Sequence, residues 1–359
     1  APLASDLREG PVESVWSAQG TTPDKIEAAL RGMLAEQAEQ DQSQIAPARV
    51  LNLVVIVDRE WRGEIANRLE RVGRFHPSRS IICAVEKGRT TIDAWARLWT
   101  SAQQDATSIA VCEERIEVVI GPRHLERLKT IVDPLVVTDL STLVWSPHGH
   151  PIESLLPLAQ VVLLDSVEEL DSRTAIERAS SLLDDAYVVD LAWLRTTPWR
   201  ERIAATFDPP MWRAELAQID HVTVRSRADS SVSALLLLGW LASQLGWQPG
   251  QLVQQNGTML SHATTHRRDV RLSLEPAEQH VPGLSGITIG TDRGMELSLD
   301  RGPGGLAAKR RRRDGRESSW VVLGASRGEA GILGEGIRQA LLRDPTYGPA
   351  LRTARSMLG

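Results

Sequence analysis

The feature that most constrains the fold is the run Leu51–Val57 (LNLVVIV), which a helical pattern over 60–72 follows almost at once. A continuous apolar, β-branched run is typical of a strand covered on both faces of a sheet. A second such run occupies 80–85, and strand and helix patterns keep alternating to about residue 206. Further strands are predicted at 108–110, 113–120, 143–145, 161–164 and 187–190, and helices at 25–40, 125–131, 174–183 and 191–206. This alternation predicts an α/β, sandwich-like domain with a mixed, largely parallel sheet.

The pattern changes beyond residue 210. An apolar helix is predicted over 232–247, and several short strands follow it before a last helix over 332–343. The predicted strands are 221–225, 270–274, 286–289, 296–299 and 320–323. Short strands in succession indicate an antiparallel meander, so a smaller C-terminal α+β domain with an antiparallel sheet is expected. Since Phe207-Asp208-Pro209-Pro210 breaks the chain, the predicted divisions are a helical segment at 1–45, an α/β domain at 46–210 and an α+β domain at 211–359.

Charge and cysteine content narrow the class of protein. The net charge of −5 provides no overall attraction to nucleic acid or to an anionic membrane. The apolar stretch 232–247 is shorter than the roughly 20 residues of a membrane span, and the first ten residues lack the pattern of a signal peptide. Only two cysteines occur, Cys83 and Cys112, which favours a reducing compartment. A cytoplasmic location is therefore expected, with no membrane and no nucleic acid as partner.

The sequence contains no recognisable catalytic set. No Walker loop occurs, and the pair His262 and His266 lacks a third metal ligand. Cys83 and Cys112 fall inside strand patterns, where cysteine usually behaves as a small buried residue. The basic run 309–313 predicts a solvated hairpin loop, with contact to an acidic partner surface or to nucleic acid as alternatives. We therefore expect no enzyme activity, no cofactor and no metal.

Two loops remain candidates for ligand or partner contact. Asp139, Trp145, His148 and His150 flank an apolar strand, and open α/β sheets bind ligands at the carboxyl ends of their strands. A glycine-rich turn from a strand into a helix contains Arg327 and Gly328. Because a helix N-terminus favours anions, that turn is a candidate site for a sugar phosphate.

Tryptophan is over-represented, with eleven residues against two phenylalanines and two tyrosines. One short segment contains three tryptophans and four arginines, namely Trp193, Trp199, Trp212, Arg195, Arg200, Arg202 and Arg213. Tryptophan with arginine is enriched at binding hot spots. This segment predicts a partner-binding surface. Packing of the same tryptophans into the domain junction is an equally open reading.

Several sequence motifs together resemble one known family. They include Val15-Trp16 with Thr21-Thr22-Pro23, Ala48–Leu53 (ARVLNL), Phe75–Arg79 (FHPSR), Cys112-Glu113-Glu114, Asp133-Pro134-Leu135 and Asp190–Trp193 (DLAW) with Thr197–Arg200 (TPWR). In this combination the chain resembles the glucose-6-phosphate dehydrogenase assembly proteins, called OpcA, of actinobacteria and cyanobacteria, and we expect an actinobacterial source. The chain departs from the family pattern at Ser141 and Ser146, and 302–318 has the character of an insertion.

The resemblance implies a non-catalytic, allosteric activator that binds glucose-6-phosphate dehydrogenase and promotes its active oligomeric form in the oxidative pentose phosphate pathway. The partner-binding residues are then expected among Asp139, Trp145, His148, His150, Trp193, Arg195, Trp199 and Arg202. The alternative is a sugar-phosphate-binding enzyme or sensor that uses the strand-end loops and the helix start near Gly328.

Overall fold

The structure is a computed structural model that describes residues 12–40, 49–73, 77–100, 112–169, 171–265, 268–323 and 328–359. The chain divides into two compact units, Ala1–Leu163 and Leu164–Gly359. The sequence predicted the division at 210/211. The division observed here lies earlier, and the helices between 164 and 210 lie in the second unit. The second unit is consequently the longer of the two.

The first unit is built on a mixed sheet. Its helices are α1 (Pro23–Gln40), α2 (Arg62–Gly73) and α3 (Leu128–Val132), and its strands are β1 (Val12–Ala18), β2 (Leu51–Asp58), β3 (Ser78–Val85), β4 (Asp93–Thr100), β5 (Cys112–Ile120), β6 (Thr142–Trp145) and β7 (Val161–Leu164). The strand order is β1-β4-β5-β3-β2-β6-β7. The pairs from β5 through β7 are parallel, whereas β1 and β4 add antiparallel pairs at one side. The predicted largely parallel sheet is confirmed.

Strands β2 and β3 form the centre of this sheet, and nearly every one of their residues is buried. Asn52 is the polar exception within the apolar run of β2. Its amide donates to the carbonyls of Val137 and Leu140, and its Oδ1 accepts from the amide of Val137 at 2.9 Å. A buried amide is tolerated where its hydrogen bonds are satisfied. Asn52 thereby fixes the turn that leads into β6.

The second unit carries a larger sheet with helices. Its helices are α4 (Ser172–Leu182), α5 (Leu191–Arg195), α6 (Thr197–Phe207), α7 (Pro210–Leu216), α8 (Ser231–Leu245), α9 (Gly328–Leu342) and α10 (Tyr347–Leu358). Its strands are β8 (Tyr187–Asp190), β9 (Ile219–Ser226), β10 (Gln248–Pro249), β11 (Val253–Gln255), β12 (Thr258–Thr264), β13 (Asp269–Pro276), β14 (Leu284–Thr291), β15 (Glu296–Gly302), β16 (Gly305–Arg311) and β17 (Glu317–Leu323).

The sheet of this unit does not include β8. Its order is β10-β12-β13-β9-β14-β15-β16-β17, with β11 paired to β12. Among the described strand pairs of this sheet, only β9 and β13 are parallel. The expected antiparallel sheet is therefore confirmed. Helix α8 is apolar on all sides and packs against α10. Gly239 permits this approach, because a Cβ there would lie 2.3 Å from the carbonyl oxygen of Ala350. The two helices therefore form the core of the helical layer.

The basic run 309–313 does not form the predicted hairpin loop. Lys309, Arg310 and Arg311 are the last residues of β16, and the turn to β17 begins only at Arg312. The strand is paired on both sides, with Arg310 opposite Leu297 of β15 and Ser318 of β17. Charged residues are accommodated here because alternate side chains of a strand point to opposite faces. Two of the arginines therefore project to one face and their neighbours to the other.

Candidate functional site

Two histidines meet an aspartate at the carboxyl ends of parallel strands in the first unit. Asp58 ends β2, and the loop after β6 brings His148 and His150 to it, because β2 and β6 are parallel and in register at Val55 and Trp145. The amide of Asp58 donates to Nδ1 of His148 at 3.0 Å, and Nε2 of His150 lies 3.0 Å from Oδ1 of Asp58. This is the edge of the sheet at which the sequence predicted a ligand loop.

Trp61 completes this group, which we call the strand-end cluster: Asp58, Trp61, His148 and His150. The Trp61 ring centroid lies 6.0 Å from that of His148, and the Trp61 side chain is 46% exposed. Asp58 is also substantially exposed. Within the described ranges no group of three or more His, Cys, Asp or Glu residues is arranged to hold a metal ion. The strand-end cluster is therefore an accessible, mixed aromatic and polar surface.

The other two predicted residues of this region lie elsewhere. Trp145 is buried and belongs to the core. Asp139 is exposed in the turn before β6, at the opposite end of the strand from His148. The structure thus brings together the two histidines but not all four residues. Sequence reasoning missed Asp58 and Trp61, although Asp58 is the polar residue that ends the apolar run of β2.

The predicted tryptophan segment of the second unit is largely buried. Trp193 and Trp199 are each 2% exposed. Arg195 is held by Asp165 through two hydrogen bonds of 2.7 Å. Arg202 is partly exposed on α6. A buried indole has little surface to offer a partner, so packing is the role that the structure gives these two tryptophans.

Trp193 is the centre of a group that we call the buried tryptophan cluster: Asp190, Trp193, Arg200, Asp344 and Tyr347. The indole Nε1 of Trp193 donates to Asp344 at 2.9 Å. The Arg200 guanidinium lies 3.6 Å from the centre of the Trp193 ring, and its Nη1 is 3.6 Å from the Asp344 carboxylate. Burial lowers the pKa of Arg200 to about 10. Each polar group here has an internal partner.

Asp190 connects this cluster to the start of α5. Its carboxylate accepts from the hydroxyls of Ser166 at 2.7 Å and Tyr347 at 3.0 Å, and from the amide of Ala192 at 2.9 Å. Because Asp190 is almost fully buried, desolvation raises its pKa to about 6. A carboxyl group with a perturbed pKa is frequent at catalytic sites. Here the surrounding donors are structural, since Asp190 caps α5 and anchors α10 through Tyr347.

The glycine-rich turn is described only in part. Helix α9 begins at Gly328, whereas Arg327 lies outside the described residues. Cys83 is fully buried, and burial raises the pKa of its thiol to about 12, which makes it a poor nucleophile. The side chain of Cys112 also lies outside the described residues.

A second aromatic group contains Trp212, which the sequence placed in the tryptophan–arginine segment, but its contact with the basic run was not predicted. We call it the Trp–Arg patch: Trp212, Arg310, Arg312 and Trp320. The guanidinium of Arg310 lies 4.0 Å from the centre of the Trp212 ring, and that of Arg312 lies 4.8 Å from it. Arg310 also lies 5.7 Å from the Trp320 ring. The available signal was the alternation that runs along β16 into the turn after it, which predicts one face for Leu306, Ala308, Arg310 and Arg312.

Two family descriptions match the chain. The one that describes the N-terminal domain of a glucose-6-phosphate dehydrogenase subunit matches residues 69–181, and the one that describes the C-terminal domain of the same subunit matches residues 186–351. The two matched ranges together cover more than half of the chain. No helix among the described residues combines the length and the apolar character that a membrane span requires.

Curated relatives carry the same family name. The chain is 25% identical over 240 residues to an OxPP cycle protein OpcA of Synechococcus elongatus, covering 64% of this chain and 54% of that protein. It is 28% identical over 193 residues to the OpcA of Nostoc punctiforme, covering 51% and 42%. The chain therefore spans about half the length of the curated relatives it matches. These relatives are cyanobacterial, so an actinobacterial source stays a prediction.

Solved structures show a weaker likeness. Gal80p of Kluyveromyces lactis aligns with a TM-score of 0.45 at 8% identity, over 86% of this chain and 88% of that one. The WlbA dehydrogenase of Thermus thermophilus aligns with a TM-score of 0.44 at 13% identity, over 86% and 95%. At these TM-scores the likeness carries no argument about function. The family is established by the two domain matches and the relatives: this chain belongs to the OpcA family of glucose-6-phosphate dehydrogenase assembly proteins.

Proposed function

We propose that this chain binds glucose-6-phosphate dehydrogenase and promotes its active oligomeric form, without catalysing a reaction itself. The observation that carries the proposal is the match of 69–181 and 186–351 to domains described as belonging to a subunit of that enzyme. The polar groups of the described residues are consistent with it, since the most perturbed carboxyl, Asp190, serves as a helix cap and a tertiary anchor.

The physical mechanism is preferential binding. A protein that binds one oligomeric state of an enzyme more tightly than another shifts the population toward the favoured state by its difference in affinity. The chain therefore needs no chemistry of its own, only a surface complementary to the active oligomer. The cytoplasm is the proposed location, because the low cysteine content favours a reducing compartment.

In the first unit, the strand-end cluster is the proposed contact surface. It is accessible at Trp61 and Asp58, and the Asp58 contacts hold both imidazoles in place. Aromatic side chains at an accessible edge are typical of binding hot spots. Arg202 and Asp139 remain proposed contacts as well, because each is at least partly exposed.

The proposal is tested by titrating the dehydrogenase of the same organism with this chain under reducing conditions. We expect a saturable rise in specific activity together with a faster-sedimenting complex. Unchanged activity and unchanged sedimentation at every ratio would contradict the proposal. Trp61→Ala is expected to weaken the complex, whereas Trp16→Ala, on the edge strand β1, is the control for loss of an indole.

The sugar-phosphate alternative makes a different prediction. A small-molecule sensor would be stabilised by its ligand alone, since binding to the folded state raises the unfolding temperature. Thermal unfolding is measured with glucose 6-phosphate, 6-phosphogluconate and NADP without the dehydrogenase. We expect no shift with any of the three. A concentration-dependent rise would favour the sensor.

A further inference from the structure

We infer that the Trp–Arg patch is a docking site for an acidic segment of a protein partner, with a carboxylate of the partner seated between Arg310 and Arg312. As a statement about the dehydrogenase, the inference rests on the proposed function. It begins from an electrostatic arrangement within the second unit that has no internal explanation.

Two cations lie against one indole in this patch. The guanidinium groups of Arg310 and Arg312 are 4.0 Å and 4.8 Å from the centre of the Trp212 ring. Stacking on the ring holds each planar group in position. The Arg312 charge is near enough to lower the pKa of Arg310, and a bound anion near both would offset that repulsion.

Neither arginine forms an ion pair or a hydrogen bond with another described residue through its guanidinium. Nε of Arg310 is buried and has no hydrogen-bond partner among them. Burial and the neighbouring Arg312 charge lower the pKa of Arg310. A desolvated cation with unused donors is a site that a carboxylate can complete, because charge-assisted hydrogen bonds are the strong ones.

The neighbouring residues of the same strand provide the contrast. Lys309 lies 2.9 Å from Glu317, and Arg311 lies 3.3 Å from Glu296. These two side chains point to the opposite face of β16, where each has a carboxylate within this chain. Lys309 and Arg311 are therefore paired with carboxylates on one face of the strand, whereas Arg310 and Arg312 on the other face have no described carboxylate partner.

The surroundings of the two arginines are apolar and exposed. Met211 is 69% exposed and Trp320 is 36% exposed. Strand β17, which carries Trp320, is the last strand of its sheet, and no described strand pairs with its outer edge. Its exposed backbone could accept an extended segment as an added strand. An acidic side chain flanked by apolar ones would match this surface.

A protein partner fits the patch better than a nucleic acid. The Trp212 ring is already stacked by arginine, so its face is not free to receive a base. The chain as a whole carries a net charge of −5, so a nucleic acid gains no overall electrostatic attraction to it.

The test compares two charge-matched double variants. Arg310→Gln/Arg312→Gln removes the open cations, and Lys309→Gln/Arg311→Gln removes the same charge from the opposite face of the same strand. A third variant, Arg310→Lys/Arg312→Lys, keeps the charge but loses the planar group. Affinity is measured for the dehydrogenase, for a labelled peptide of alternating glutamate and leucine, and for a single-stranded DNA oligonucleotide, and thermal unfolding checks that each variant folds.

We expect the Arg310→Gln/Arg312→Gln variant to bind the dehydrogenase at least about tenfold more weakly, as is typical when buried charge pairs lose one partner. The Lys309→Gln/Arg311→Gln control should stay within about threefold, because exposed ion pairs contribute little. The lysine variant should fall between the two. If wild type binds the dehydrogenase and all variants bind it with the same affinity, the inference is overturned. The proposed function is not affected by that result.

Failure of the wild-type chain to bind the dehydrogenase would contradict the proposed function separately. In that case the peptide decides the inference. Peptide binding that depends on Arg310 and Arg312 but not on Lys309 and Arg311 supports a carboxylate site. Absent peptide binding, equal dependence on both pairs, or tighter binding of the oligonucleotide than of the peptide would overturn it. A variant that does not fold is replaced by Arg312→Gln alone, with Arg311→Gln as its control.

Discussion

The second unit places arginine against tryptophan in two regions whose surroundings differ. In the buried tryptophan cluster, Arg200 stacks on Trp193 at 3.6 Å, and Asp344 accepts from the indole and faces the guanidinium. In the Trp–Arg patch, Arg310 and Arg312 stack on Trp212, and no described carboxylate faces them. The same residue types thus form a closed internal network in one place and an open surface in the other. The buried tryptophan cluster has a carboxylate of this chain beside its arginine, whereas the proposed docking site has none among the described residues.

The largest expected difference concerns removal of each indole. Trp193→Ala should lower the free energy of unfolding by about 3–5 kcal/mol, because it leaves a cavity in the core. Trp212→Ala should cost less than about 1.5 kcal/mol, since its ring is only partly buried. Urea unfolding of the two variants measures both values. Equal losses would show that the two regions do not differ as described.

The pH dependence of the free energy of unfolding is expected to come from the buried tryptophan cluster. The pKa of Asp190 rises on folding from 3.8 to about 6, so the folded chain binds more protons than the unfolded chain between these values. The contribution of Asp190 to the free energy of unfolding is therefore full below about pH 4 and lost as the pH rises through about 6. A shift of this size amounts to at most about 3 kcal/mol.

Asp190→Asn tests this contribution. Urea unfolding of wild type and variant is compared at pH 4 and pH 7, and the wild-type value should fall relative to that of the variant as the pH rises. The Arg310→Gln/Arg312→Gln variant should follow wild type, because no described carboxyl titrates in the patch. A difference between wild type and Asp190→Asn that stays constant across this range would contradict the assignment.

Removal of the internal carboxylate should have an intermediate effect. Asp344→Ala leaves Trp193 Nε1 without its acceptor and the partly buried Arg200 without its counter-charge, and it also removes the hydrogen bonds from Thr346. Loss of a buried acceptor of this kind costs about 2 kcal/mol. Urea unfolding at neutral pH checks the value, with Asp314→Ala in the exposed β16–β17 turn as the control. A loss no larger than that of the control would mean that Asp344 does not neutralise the cluster.

The smallest expected effect is on the stability of the open patch. Arg310→Gln/Arg312→Gln should change the free energy of unfolding by less than about 0.5 kcal/mol, because the variant loses stacking but also relieves repulsion between the two cations. Thermal unfolding in low and high salt checks this, and the wild-type chain should gain more from salt than the variant. A destabilisation above about 2 kcal/mol would assign these arginines to the core.

Local sequence was sufficient for the continuous strands and for α8, because their apolar residues form unbroken runs. It was insufficient for β4 and α10. In β4 the buried positions Ala94, Ala96 and Leu98 alternate with Trp95 and Arg97, and in α10 alanines occupy much of the buried face behind Asp344-Pro345. Small buried residues give a weak hydrophobic signal, and their burial is decided by the partners that pack on them.

The candidate sites show the same limit more sharply. His148 and His150 were predictable, because a polar loop after an apolar strand lies at the ligand-binding edge of a parallel sheet. The difference in burial between Trp193 and Trp212 was not predictable, since both residues lie near arginines in one short segment of the sequence. What buries Trp193 is Asp344 and Tyr347, which lie far along the chain in and just before α10. What leaves Arg310 open is the absence of such a partner among the described residues.

The most direct test is hydrogen–deuterium exchange of this chain, alone and with saturating glucose-6-phosphate dehydrogenase. Peptides that cover 210–216 and 317–323 report on the Trp–Arg patch, and peptides that cover 191–199 report on the buried tryptophan cluster. We predict that the dehydrogenase slows exchange in the first two ranges and leaves the third unchanged. Slowed exchange confined to 191–199, or none in 210–216 and 317–323, would contradict this prediction.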